Sequence, residues 1–109
     1  MTTTDAPDGY DVARAAERLA DRLRVLGPRW GARDVAADAE QLAAVRAALQ
    51  RLADAAASAE GRPQKAVPDL GPHALADQLL VLARDAAGTG EPAVLDEAAD
   101  VLAGLRARL

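Results

Sequence analysis

Four stretches of this chain carry apolar residues at alternating spacings of three and four, and each of the first three is closed by glycine, a pattern that leaves few folds open. Val12, Ala16, Leu19, Leu23 and Leu26 form the first stripe, and Gly27-Pro28 stops it. Leu42, Val45, Leu49, Leu52 and Ala56 form the second, which ends near Glu60-Gly61. A third runs from Leu75 through Leu79, Leu80, Leu82, Ala83 and Ala86 to Gly88-Thr89-Gly90, and a fourth follows Pro92 through Val94, Ala98, Val101, Leu102, Leu105 and Leu109. This is helical periodicity throughout, with no run of strand-like alternation.

The residue types agree. Half of the chain is hydrophobic, but this half is almost wholly Ala, Leu and Val, with one Trp, one Tyr, one Met and no Phe or Cys. Alanine and leucine lose little on entering a helix, whereas strands draw on the β-branched and aromatic residues that are scarce here. The expected fold is all-α, a four-helix antiparallel bundle built from two helical hairpins. Residues 1–7 are read as a disordered N-terminal tail and 8–109 as one domain, with helices at about 9–26, 35–60, 72–87 and 92–109. The Pro/Gly loop 61–71 joins the hairpins, and Val67 and Leu70 are expected to tack it to the core.

The ends of the helices have their own signals. Asp8, followed three residues later by Asp11, suits an N-cap, and Asp34 suits the cap of the second helix. Pro72 and Pro92 suit first helical positions. Asp96 and Glu97 near the start of the fourth helix, and Arg106 and Arg108 near its end, complement the helix dipole. Residues 28–33 are read as a connector, and the short connections predict that helices one and two, and three and four, lie side by side.

Composition narrows function mainly by exclusion. The net charge of -4, with signs interspersed, argues against nucleic acid as a partner. No apolar stretch is long enough to span a membrane. With no cysteine there is no thiol nucleophile, thiolate metal site or disulfide framework. A cytoplasmic location is the default expectation. The bias of arginine over lysine, with Lys65 the only lysine, points to a bacterial gene rich in G and C.

Groups able to carry chemistry are few. His73, Ser58 and Tyr10 stand alone in their types, and no glycine-flanked nucleophile turn surrounds the serine. The facing Glu-x-x-His pairs of bundle metal sites and the spacing of a calcium loop are both absent, so neither metal nor cofactor is expected. The chain is therefore read as non-catalytic, a protein-protein interaction or regulatory helical module. The alternative is a bundle that binds a small ligand or passes a phosphoryl group through His73.

Trp30-Gly31 resembles the Trp-x-Gly turn of small helical-hairpin secretion substrates. That resemblance ends at the turn: glycine is adjacent to the tryptophan, four helices replace two, and the acidic C-terminal signal is missing. No family is assigned on it.

One local concentration stands out in this acidic chain. Arg22, Arg24, Arg29 and Arg33 lie within a dozen residues around Trp30. Arginine and tryptophan are the residues most enriched at interface hot spots, and guanidinium suits carboxylate or phosphate. This corner is the candidate partner-binding site, for a protein with an acidic surface. The competing reading has the arginines answering the negative end of the first helix while Trp30 closes the core. A homodimer through the alanines of helix two (Ala36, Ala37, Ala44, Ala47, Ala48, Ala55) is a further expectation.

Overall fold

A computed structural model describes residues 7–30 and 35–109. Among them every regular element is helical: α1 (Gly9–Leu26), α2 (Val35–Ala59), α3 (Leu75–Gly88) and α4 (Pro92–Arg108), with 3-10 turns at Gly27–Arg29 and Pro72–Ala74. The chain is an all-α four-helix bundle. Residues 1–6, Arg33 and the proposed cap Asp34 lie outside the described residues.

The start of α1 follows from its cap. Asp8 Oδ1 accepts the Asp11 backbone N–H at 2.8 Å while the Asp11 carboxylate accepts the Asp8 N–H at 3.3 Å. Two otherwise orphaned donors are thereby satisfied. α3 begins three residues later than its proline suggests. Gly71, at φ +88, turns the chain, and the Ala74 N–H bonds back to the Gly71 carbonyl, so a tight 3-10 turn precedes the α-helix.

The directions of the helices follow from their contacts. A Cβ at Gly9 would meet Ala87, and Arg24 reaches Asp77, so α1 and α3 run antiparallel. Gln41 contacts the end of α4 and Arg51 contacts Glu97 near its start, so α2 and α4 are antiparallel as well. The short turn at residues 89–91 reverses α4 against α3, which makes α4 parallel to α1. Consistently, Arg22 late in α1 touches Leu109 at the end of α4.

Packing corrects one expectation. α1 packs chiefly on α3 and then on α4, whereas α2 packs on α4 and α3. The members of each hairpin are antiparallel, but α1 and α2 sit across the bundle from one another and not side by side, and α3 and α4, also expected side by side, pack less on each other than either does on α1 or α2. The cause is the segment between α2 and α3. It does not bulge outward at the end of α2 but runs back along it: Gln50 accepts the Val67 N–H at 2.9 Å and donates to the Lys65 carbonyl, and Arg46 pairs with Asp69 at 2.8 Å. This strap carries the chain back toward the start of α2, so α3 runs parallel to α2 and antiparallel to α1. Val67 is tucked against the core as expected, but Leu70 is 62% exposed, because Asp69 and Gly71 on either side hold the turn at the surface.

The core is made by the predicted stripes. Val12, Leu49, Leu52, Leu75, Leu79 and Leu102 are fully buried. Leu82, expected among them, is half-buried at the margin, because the face of α3 that meets α1 and α2 is centred on Leu75, Leu79, Ala83 and Ala86.

Candidate functional site

The fold divides the arginine–tryptophan corner among different neighbours. Positions two apart on a helix point about 200° from one another. Arg22 accordingly turns toward α4 and donates to the main-chain oxygen of Leu109 at 2.9 Å. Arg24 turns the other way, to Asp21 at 3.0 Å and Asp77 at 3.5 Å across the α1–α3 seam. Both of those ion pairs are exposed, where such contacts contribute little. Arg29, on the 3-10 turn, is exposed and has no polar partner among the described residues. Arg33 lies outside them.

Trp30 is integrated into the structure. Its ring packs against the core, half-buried, and its indole N–H donates to Gln41 Oε1 at 3.0 Å. Gln41 in turn donates to the Arg108 carbonyl at 3.1 Å. Gln41 thus satisfies one of the last carbonyls of α4, groups that a helix cannot satisfy within itself, and Arg22 holds the main-chain oxygen of Leu109 just beyond it.

Residues outside the sequence-level corner complete a more coherent feature. Between the parallel helices α1 and α4 lies a half-open groove of about 780 Å³. Val12, Leu19 and Leu102 form its floor but are themselves covered. The surface actually reached is a shelf of Ala15, Ala99 and Ala103, with Leu109 at one end. Arg18 and Arg22 stand on the α1 wall, Arg106 on the α4 wall, and Asp11 at the far end. Arg18 and Arg106 have no hydrogen-bond or ion-pair partner among the described residues. Arginine stems extend the apolar surface while their heads stay in water, so the rim is both greasy and cationic.

Among the described members of the predicted corner, Arg22 alone lines this groove. Arg18 could have been found from sequence by its i, i+4 relation to Arg22. Arg106 lies 84 residues beyond Arg22 in sequence and had no local signal tying it to α1.

The residues suited to chemistry are separated. Tyr10 begins α1 and Ser58 lies near the end of α2, at one end of the bundle, whereas His73 sits exposed on the 3-10 turn at the other. Ser58 Oγ accepts from Gln64 at 3.1 Å. Among the described residues no three His, Asp or Glu side chains are grouped to hold a metal ion, and no helix is long and apolar enough to cross a membrane.

The alanines of α2 do not share one open face. Ala36, Ala37 and Ala47 are exposed, Ala44 and Ala55 are half-buried against the core, and Ala48 is buried. Compared with known protein families, with curated proteins and with solved structures, the chain matches none.

Proposed function

We propose that this domain is a non-catalytic protein-interaction module and that the α1–α4 groove is its binding face. The observation that carries the reading is the combination of an alanine shelf with cationic side chains on both walls, two of them without a partner among the described residues. A shelf of small residues admits close approach, and the guanidinium groups give orientation and choice of partner through carboxylate or phosphate. The expected partner is a protein with an acidic surface. Arg29, exposed and without a polar partner among the described residues, adds a cationic side chain at the same end of α1. A bacterial, cytoplasmic setting is part of this reading and rests on composition alone. Self-association through α2 has weaker support, because its alanines are divided between surface and core.

The test is site-specific photo-crosslinking in cells, with the photoreactive residue at Ala103 in the groove or at Arg84 on the exposed side of α3. A discrete protein adduct from position 103 and none from 84 supports the module. No adduct at 103 beyond that at 84 overturns it.

One observation favours a second reading, that of a ligand-binding bundle. The groove volume falls within the roughly 300–1,000 Å³ range of small-molecule sites. Native mass spectrometry of the gently purified protein separates the two: a stoichiometric small mass lost on Ala103→Trp assigns the groove to a ligand.

A further inference from the structure

Accepting the groove as the binding face, we infer that its occupant is an amphipathic helix, acidic in its N-terminal half, lying antiparallel to α1 and α4. The groove extends from Asp11 to Arg22, about 17 Å at 1.5 Å per residue, which is about three turns of helix. Its shelf is alanine on both sides, and small residues let a helix settle near the closer end of the usual interaxial range. A concave surface of this kind receives a convex rod. It does not fit the same groove on a second copy.

Charge sets the direction. Arg18, Arg22 and Arg106 gather at one end, and Asp11 marks the other. Because α1 and α4 are parallel, the negative ends of both helix dipoles also lie at the arginine end. An antiparallel occupant brings the positive end of its own dipole there. Its first turns are where acidic side chains are most favourable to the occupant itself, and they meet the arginines. Arg18 and Arg22 are one turn apart, so carboxylates four residues apart on the occupant match them, while a third across its face meets Arg106. At the far end, a basic residue in the last turn of the occupant meets Asp11. Dipole, side-chain charge and spacing therefore select one direction.

The experiment uses the full chain and three labelled peptides of about 18 residues, long enough to form helix on binding. All share one leucine stripe. The first carries Glu in its N-terminal half and Lys in its C-terminal half, the second has these halves exchanged, and the third carries Gln throughout. Fluorescence anisotropy is expected to show the acidic-first peptide binding about tenfold more tightly than the exchanged one, the discrimination that roughly 1.4 kcal/mol supplies. Arg18→Glu with Arg106→Glu should invert that order, with the circular dichroism of the domain unchanged. A nitroxide on the N-terminus of the acidic-first peptide should broaden the amides of 18–22 and 106–109 and spare 11–12.

Equal affinity for the two charged peptides, or broadening at the Asp11 end, overturns the inference. So does tighter capture of anionic vesicles than of any peptide, or a dimer in sedimentation that Arg18→Glu dissociates. A protein adduct at Ala103 without peptide preference would remove this occupant and leave the module standing. The absence of both removes both.

Discussion

Helix α1 presents two faces to two partners, and they are built to opposite ends. Toward α3, Ala16 and Ala20 meet a surface in which Ala76, Ala83 and Ala86 alternate with Leu79, and all of these are buried. Small residues on both sides bring the backbones close enough for Gly9 to approach Ala87, where a Cβ would lie 3.4 Å from the carbonyl oxygen. Toward α4 the reachable residues, above a floor of Val12, Leu19 and Leu102, are again small, yet the surface stays open over about 780 Å³. Alanine content alone therefore does not decide whether a seam closes. α1 and α3 are antiparallel, with opposed dipoles and leucines interleaved among the alanines. α1 and α4 are parallel, with like dipole ends together, and the side chains flanking their alanines are arginines that remain in water.

The largest test of this contrast lies in the closed region. Leu79 is fully buried and Leu82 half-buried, so Leu79→Ala is expected to cost about 2–5 kcal/mol, and Leu82→Ala roughly half as much, in urea unfolding. Equal costs at the two positions would mean that the packed face of α3 has been wrongly centred. Adding volume probes the same difference from the other side. Ala83→Leu overpacks a fully buried site and should cost roughly 1–3 kcal/mol, whereas Ala103→Leu projects into the groove and should stay within about 0.5 kcal/mol of the parent. Similar losses at both would show that the groove is closed in solution.

A smaller effect is expected at an open position of α4 that does not line the groove. Gly104 lies within α4, and a Cβ there would meet nothing within 4 Å. Gly104→Ala should raise stability by about 0.4–1 kcal/mol through the entropy of the unfolded chain, read as a higher denaturation midpoint with unchanged slope. The least effect belongs to the strap. The Gly71 backbone N–H donated to Asp69, together with the Arg46 guanidinium, holds the Asp69 carboxyl below its ordinary range. Its contribution is therefore present above the unfolded carboxylate value, about pH 3.9, and is lost as pH falls through the lower folded value. Asp69→Asn should flatten that part of the acid limb, and an acid limb identical to the parent's would show that the strap is held by other contacts.

Much of the fold could be read along the chain because its signals are local. The Asp8 capping box, the Gly27 stop, the strap boundaries and the spacing of Leu49, Leu52 and Leu79 each depend on residues within one or two turns. The pairing of helices was not legible in the same way. It depends on Gln50 and Arg46 gripping residues 65–69, contacts between side chains and a segment whose path no periodicity encodes. The candidate site suffered from this same limit. Density of arginine around Trp30 marks the end of α1 that carries Arg22, but helical geometry sends Arg22 and Arg24 to different neighbours, and the opposite wall of the groove comes from α4.

Because the chain has no cysteine, a single introduced thiol reports on one place only. The most direct test of an open binding face beside a sealed seam is the maleimide labelling rate of Ala103→Cys against Ala83→Cys, measured with and without the acidic-first peptide. Cys at 103 is expected to label as fast as a fully exposed thiol and to be protected by the peptide, while Cys at 83 reacts only through global unfolding and ignores the peptide. Equal protection at both positions, or labelling at 103 that the peptide leaves unchanged, would contradict it.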